Sequence, residues 1–345
     1  MRTIGVDLGG TKIQTIAVAQ SGDDKSPADG TYSPEESLDE IKALGRLKDR
    51  YRVTASARVL TPTGGPDDVA DAIADTVNAV GVDAAGVGIG FAGLVDPVTG
   101  TVTHGTNIAN FPDGTPIAKL VQDRVGIPVY LDNDVNVAVF GEFRLGAGRG
   151  SSDMAGVWVG TGVGGGLVLG SKLRHGPHGW AAEIGHMVIK MGGRKPFGGP
   201  QGSLEAYAGR NSMQKEARRL QKKGKKTQLF KIMKKKGKDK LTSGVFLKAV
   251  NRGDKVAKKL MDDNVQALGV GIASLVNILD LDAIVLGGGV TESFGEDYAA
   301  RIKEEMKKSL IAPDFVPDVS EATLGDFSGA LGAALIVEEN LQEIK

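Results

Sequence analysis

No cysteine occurs anywhere in the 345 residues. Disulfides, thiolate metal ligands and a cysteine nucleophile are therefore excluded. Histidine is nearly as scarce: His104, His175, His178 and His186 are the four copies, too few to expect a multi-histidine metal site. No apolar run approaches the roughly 18 residues that span a bilayer. The opening MRTIGVDLGG runs directly into a β-prone segment, without the charged-then-apolar pattern of a signal peptide. These absences predict a soluble, cytoplasmic protein with no membrane partner. Net charge is absent too, with 42 basic against 42 acidic residues, but the balance hides one excess. Lys215 to Lys240 carries thirteen Lys or Arg against Glu216 and Asp239. Leu220, Leu229, Phe230, Ile232 and Met233 are interleaved with those charges. The run therefore reads as a short helical excursion with a solvated basic face, in preference to a nucleic-acid or polyanion site.

What the chain does have is glycine. Fifty of its residues are Gly, about twice the usual share of roughly 7%. Neither a collagen period nor a Gly/Ser linker is present, so the glycines must serve turns and close backbone approaches. The hydrophobic fraction of 41% leaves ample material for a core, and the length suits two ordinary domains or one large domain with a cleft.

Along the chain, β-prone and helical segments alternate. Thr3–Leu8 and Ile13–Ala19 read as a hairpin around Gly9-Gly10-Thr11-Lys12. A polar loop and a helical stretch over Glu35–Tyr51 follow, then strand Val53–Leu60, helix Asp67–Val80 and strand Val87–Phe91. Helix Ile117–Val125, strand Val129–Leu131 and helix Val135–Phe143 come next. A second strand pair, Ala155–Val159 and Gly166–Leu169, surrounds the turn GTGVGG. Val265, Leu268, Ile272, Leu275, Val276 and Leu279 fall on one helical face. Strand Ala283–Leu286 runs into Gly287-Gly288-Gly289, and Tyr298–Leu310 and Ser328–Glu339 read as helices. The pattern predicts an α/β protein of two sheets, each opened by a hairpin; the similarity of IGVDLGGTKI and GVWVGTGVGGGL makes duplication plausible.

Five segments carry candidate chemistry. Asp7-Leu8-Gly9-Gly10-Thr11-Lys12 offers turn glycines, a hydroxyl and an ammonium to a phosphate, and Asp7 is placed to hold hydrated Mg²⁺. A plain Gly-Gly hairpin is the alternative. Gly160 to Gly166 contains G-x-G-x-x-G but lies between two strands, so the dinucleotide reading fails and a second phosphate hairpin fits better. Gly287-Gly288-Gly289 either passes a flat base or ribose over bare backbone or makes a tight strand–helix turn. In Leu131-Asp132-Asn133-Asp134-Val135-Asn136, Asp134 could accept a proton at a helix start, whereas Asp132 or Asn133 could simply cap that helix. Glu183-Ile184-Gly185-His186, with Glu205 further on, offers carboxylates and an imidazole suited to sugar hydroxyls.

Together these segments resemble the ROK family of sugar kinases and repressors, within the hexokinase–actin ATPase superfamily. The resemblance rests on IGVDLGGTKI, VGIGFAGLVDPVTGTV, LDNDVNVAVFGE, WVGTGVGGGLVL, AAEIGHM, GSLEAYAG and IVLGGGV, in the family's order. It implies a two-lobed, actin/hexokinase-like (ribonuclease H-like) duplicated fold with a cleft between the lobes. The small lobe would be residues 1–125, completed by a C-terminal helix at 327–345, and the large lobe 126–326. It implies ATP-dependent phosphorylation of the glucose 6-hydroxyl, with Asp134 as catalytic base. Gly65, Asn107, Asn133, Asp134, Glu183, His186 and Glu205 match sugar ligands. Asp7, Gly9, Gly10, Thr11, Lys12, Thr161 and Gly162 match the phosphate loops, and Gly287, Gly288 and Gly289 the adenosine wall. Mg²⁺ would come with ATP and bind Asp7 through water. A homodimer or homotetramer is the implied assembly. Another hexose (fructose, mannose or an N-acetylhexosamine) is the alternative acceptor. A sugar-responsive repressor would carry a helix-turn-helix module ahead of this part; six residues precede Asp7, which disfavours it.

One departure stands out. The family usually places C-x-C-G-x-x-G-C-x-E after the EIGH histidine to bind structural zinc. Here Pro196, Gly198 and Ser203 occupy the cysteine positions while Glu205 remains. No structural zinc is expected; Pro196 and Pro200 would stiffen the loop, with Phe197 packed in the metal's place. A second departure, the longer connection Ser21–Arg52, has no assigned role.

Overall fold

The computed structural model describes residues 1–20, 51–104 and 108–343. They form two compact units. Met1–Arg149, His175–Ala181 and Thr323–Lys345 make the first; Gly150–Arg174 and Ala182–Ala322 make the second. The helix predicted over Glu35–Tyr51 lies outside the described residues except at Tyr51, which opens a strand.

In the first unit, β1 (Arg2–Leu8) and β2 (Lys12–Gln20) pair antiparallel, and β3 (Tyr51–Leu60) joins β2. Helix α1 (Pro66–Val80) follows, with Pro66 at its first position, where the missing N–H costs nothing. It buries Val69, Ala70, Ile73, Val77 and Val80 on one face. Strand β4 (Val87–Phe91) runs parallel to β1; β5 (Leu94–Asp96) and β6 (Thr101–His104) form a separate ribbon. After α2 (Ile117–Val125), β7 (Val129–Asn133) pairs parallel with β4 and leads into α3 (Asp134–Leu145). The sheet order is β3-β2-β1-β4-β7.

The second unit repeats the plan. Antiparallel β8 (Met154–Val159) and β9 (Val163–Leu169) are extended by the short β10 (Lys172–Leu173). The helices α4 (Glu205–Ala208), α5 (Arg210–Lys222), α6 (Leu229–Lys235), α7 (Ser243–Asn251) and α8 (Lys255–Leu279) follow. Then β11 (Ala283–Gly287) pairs parallel with β8, followed by α9 (Gly289–Phe294), α10 (Glu296–Lys307) and β12 (Asp318–Glu321), which is parallel to β11. The order β10-β9-β8-β11-β12 matches the first sheet strand for strand, so the fold is duplicated. The last helix, α11 (Ser328–Glu343), belongs to the first unit.

Glycine makes the packing of α11 possible. Gly5 of β1 and Gly88 of β4 are register partners. A Cβ on Gly5 would stand 1.8 Å from the Ala330 carbonyl oxygen, and one on Gly88 1.8 Å from that of Ala333. The helix backbone therefore rests directly on the sheet.

Three expectations change. The boundary placed at 125/126 falls at Arg149/Gly150, because β7 hydrogen-bonds to β4 and carries α3 with it. Strand β9 starts at Val163, not Gly166: Val163, Gly164 and Gly165 pair with Val159, Trp158 and Val157, a strand that its glycines concealed. Helix α10 ends at Lys307, short of Leu310. Of the basic run, α5 buries Glu216 and Ala217, and α6 buries Leu229, Ile232 and Met233.

Candidate active site

The first unit presents two carboxylates and a glycine turn. Asp7 sits near the end of β1, backed by Gly329, whose Cβ would come within 2.9 Å of the Asp7 carboxyl carbon. The turn after it is closed by Gly9 N donating to Lys12 O at 3.0 Å. Thr61 pins the same turn from behind: its hydroxyl donates to Gly9 O at 2.6 Å and its N–H to Thr11 O at 3.0 Å. Gly10 and Thr11 themselves remain exposed. Lys12 forms an ion pair with Asp326 at 3.1 Å.

Asp134 opens α3. Asn133 is the N-cap: its Oδ1 accepts from Val135 N at 2.9 Å and Asn136 N at 3.1 Å. Its Nδ2 donates to Gly93 O and to Asp134 Oδ1, both at 3.0 Å. Asn133 thus caps the helix and holds the Asp134 carboxylate, and each of its polar atoms is already engaged. Loss of hydration raises the Asp134 pKa from 3.8 to about 7, with the charge of Asp7 adding to the shift; hydrogen bonds from Val135 N and Asn133 oppose it. Asp7 rises to about 6, again by burial first, against the pull of Lys12. The two acids therefore disfavour each other's ionisation, and a hydrated divalent cation suits this donor set.

Beneath them Asp132, expected from sequence only as a possible helix cap, makes a pairing that the sequence did not announce. Buried Asp132 accepts from Asn133 N at 2.7 Å and Asn136 Nδ2 at 3.0 Å, and meets His175 Nε2 at 2.6 Å. His175 reaches Asp132 because residues 175–181 join the first unit; Gly179 lies against Val95 and Trp180 hydrogen-bonds Thr103. No local pattern announces such a return. Gly65, buried with φ +129°, precedes α1, where Asn110 donates to Thr63 O at 2.8 Å. Asn107 lies outside the described residues.

The second unit holds the other turn. Gly160 N donates to Gly162 O at 3.0 Å. The start of α5 ties the turn down through Arg210 N to Gly160 O and Asn211 N to Thr161 O. Arg210, not anticipated from sequence, also donates to the Thr161 hydroxyl at 3.0 Å and to Ser243 Oγ at 3.3 Å. Glu205 lies directly behind: its Oε2 accepts from Val163 N at 3.1 Å, and a Cβ on Gly162 would fall 2.3 Å from it. Glu183 and His186 pair at 3.1 Å, both well exposed, after a left-handed Ala182 (φ +67°). Gly287 packs on the Trp158 ring and Gly288, at φ +83°, on the Val159 backbone, while Gly289 opens α9 with more free space.

Zinc does not fit the loop that follows. His186 gives Nδ1 to Glu183, and Gly199 packs against the other edge of its ring. Among the described residues no group of three or more His, Cys, Asp or Glu could hold a metal. The expected filling of the metal's place by Phe197 is also wrong, since Phe197 is 72% exposed. Arg194 does the anchoring instead. Its guanidinium pairs with Asp263 at 2.5 Å and lies 4.7 Å over the Tyr207 ring, while its backbone N–H donates to the Tyr207 hydroxyl. Pro196, buried, accepts from Lys215 through its carbonyl.

Two sheets of one topology, each opening on a glycine turn, define the actin/hexokinase-like class. The sequence model of the ROK family matches residues 42–340, and the chain belongs to that family. It is 31% identical to the glucokinase of Streptomyces coelicolor over 342 residues, 98% of each chain. Its fold is similar to that of the ROK family glucokinase from Streptomyces griseus, solved in complex with glucose and AMPPNP. There the TM-score is 0.74, with 31% identity over 98% of this chain and 100% of that one. For the ROK hexokinase from Thermus thermophilus the TM-score is 0.77, with 28% identity over 99% and 100% of the two chains. No helix among the described residues is long and apolar enough to cross a membrane.

Proposed function

We propose that this ROK protein is a sugar kinase, and specifically a glucokinase that transfers the γ-phosphoryl group of ATP to the glucose 6-hydroxyl. The observation that carries the reading is Asp134: a carboxylate fixed at a helix start by Asn133, with a pKa near 7, in the same unit as the Gly9–Thr11 turn. A general base works best with a pKa near the operating pH. The similarity to glucokinases over nearly the whole chain supports glucose as acceptor and ATP as donor.

In this mechanism Asp134 takes the 6-OH proton as that oxygen bonds to the γ-phosphorus. The bond from the γ-phosphorus to the β–γ bridging oxygen breaks, and ADP leaves. The N–H groups of Gly10, Thr11, Thr161 and Gly162, with the Thr11 and Thr161 hydroxyls and Lys12, stabilise charge on the phosphoryl oxygens. Gly287–Gly289 would lie along the adenosine. Glu183, His186 and Glu205 hold sugar hydroxyls, and Gly65 and Asn107 join that set. Mg²⁺, arriving with ATP, would bind Asp7 through water and neutralise phosphate charge. A coupled ADP-release assay over a hexose panel tests the reading, with ATP and polyphosphate compared as donors. The expected result is the highest kcat/KM with glucose and ATP. Preference for fructose, mannose or an N-acetylhexosamine would overturn the glucose assignment, and absence of ADP release with every sugar would overturn the kinase.

A further inference from the structure

A cavity of about 910 Å³ lies within the second unit, walled by the loop 189–195, by α4, α5 and the first half of α8. We propose that it binds a small phosphate-bearing anion and that the bound anion acts on the sugar site through α4. Its charge is lopsided. Lys190, Arg194, Lys195, Lys215, Arg219 and Lys259 line it, against only Glu216 and Asp263. Both carboxylates are already claimed: Glu216 by Arg219 at 2.6 Å, Asp263 by Arg194 and by Lys259 at 3.1 Å. The ammonium groups of Lys190 and Lys195 have no hydrogen-bond or ion-pair partner among the described residues, and the partner of the Lys215 ammonium is the neutral Pro196 carbonyl.

Arg194 gives that wall a fixed cation, since Asp263 and the Tyr207 ring hold its guanidinium in one place. A phosphate oxygen is the acceptor that a guanidinium matches best. The cavity is far larger than one phosphate, and Ile189, Tyr207 and Val270 give it apolar wall as well. Its size fits a phosphorylated small molecule or a short oligophosphate.

The link to the sugar site is short. Ala206 and Tyr207 line the cavity, and Glu205 is the residue before them on α4, a helix of one turn. An anion on Arg194 bears on Tyr207, so α4 and the Glu205 carboxylate behind the Gly160–Gly162 turn shift together. This second step rests on the proposed sugar-binding role of Glu205; the binding step does not.

The test is calorimetric titration of the whole protein, saturated with AMPPNP so that the phosphate turns are filled. Inorganic pyrophosphate and glucose 6-phosphate serve as probes. One equivalent of either is expected to bind, and Lys190→Gln/Lys215→Gln to weaken it about tenfold or more, since two charge-assisted contacts are lost. Binding of pyrophosphate alone assigns an oligophosphate; binding of glucose 6-phosphate alone assigns a phosphorylated organic ligand. No binding of either, or equal binding by the double variant, overturns the site. For the coupling, the bound probe should change the glucose KM at least about threefold in the wild type and not in the double variant. An unchanged KM despite binding overturns the coupling and leaves the sugar kinase reading intact.

Discussion

The two units share one strand order yet treat their polar groups oppositely. In the first, Asp7 and Asp134 are held near one another with raised pKa values, an arrangement that costs stability once both ionise. In the second, the charges around the glycine turn meet neutral partners: Glu205 accepts from Val163 N, and Arg210 donates to the Thr161 and Ser243 hydroxyls. Duplication thus copied a scaffold, and the strained acids that suit chemistry reside in one copy. In the other copy Glu205 and Arg210 hold the turn through Val163 N and the Thr161 hydroxyl.

Asp134→Asn breaks this contrast most directly. Loss of the base is expected to lower kcat by about 10²–10⁴, with little change in sugar affinity, measured by steady-state kinetics and glucose titration. Near-normal kcat would remove Asp134 from the role. Next in size is Gly88→Val. Its side chain would meet the Ala333 carbonyl, where a single carbon already overlaps, so destabilisation of about 3 kcal/mol or more is expected in denaturant melts. A variant as stable as the wild type would show that α11 can lift from the sheet.

Thr61→Val removes the hydroxyl behind Gly9 and leaves the Thr61 N–H bond intact. The ATP KM should rise by about threefold to tenfold, the loss of one hydrogen bond, with Tm nearly unchanged. An unaltered ATP KM would mean that the turn needs no such support.

A smaller effect concerns stability against pH. The Asp134 carboxyl has a folded pKa of about 7 against 3.8 unperturbed, so the folded state prefers it protonated. Its favourable contribution is complete below pH 3.8 and is lost as pH rises through 7. In protein free of nucleotide and divalent cation, Asp134→Asn should therefore raise Tm at pH 8 by about 2–4 °C, an amount discounted for partial exposure, and by much less at pH 4.5. An equal gain at both pH values would assign the effect to packing. The smallest effect is expected for Lys234, Lys235 and Lys236 changed together to Gln. All three are exposed at the end of α6, and kcat/KM with ATP should stay within about twofold, as for a solvated surface. A large fall would place that basic face in substrate binding.

Much of the local geometry of the candidate site was legible in the chain. The hairpins around Gly9-Gly10-Thr11 and Gly160-Thr161-Gly162 show as β-branched runs flanking glycines, and Asp134 stands out because LDNDVN ends a strand and begins a helix. The missing cysteines at Pro196, Gly198 and Ser203 carry the expectation of no structural zinc by themselves, since ligand chemistry is a property of residue type. Strand register and long-range return were not legible. Periodicity says that Val129–Leu131 is a strand but not which sheet takes it, so the unit boundary moved to Arg149/Gly150. The Asp132–His175 pair joins residues 43 apart, and the contacts of Arg210 with Thr161, Thr61 with Gly9 and Arg194 with Asp263 span 49, 52 and 69 residues. Local sequence determined the turns, the helix cap and the identity of the acids, because those depend on backbone preference and side-chain chemistry within a few residues. Only the tertiary structure decided which charges are satisfied and which are left strained, because desolvation and pairing depend on what the folded chain brings alongside.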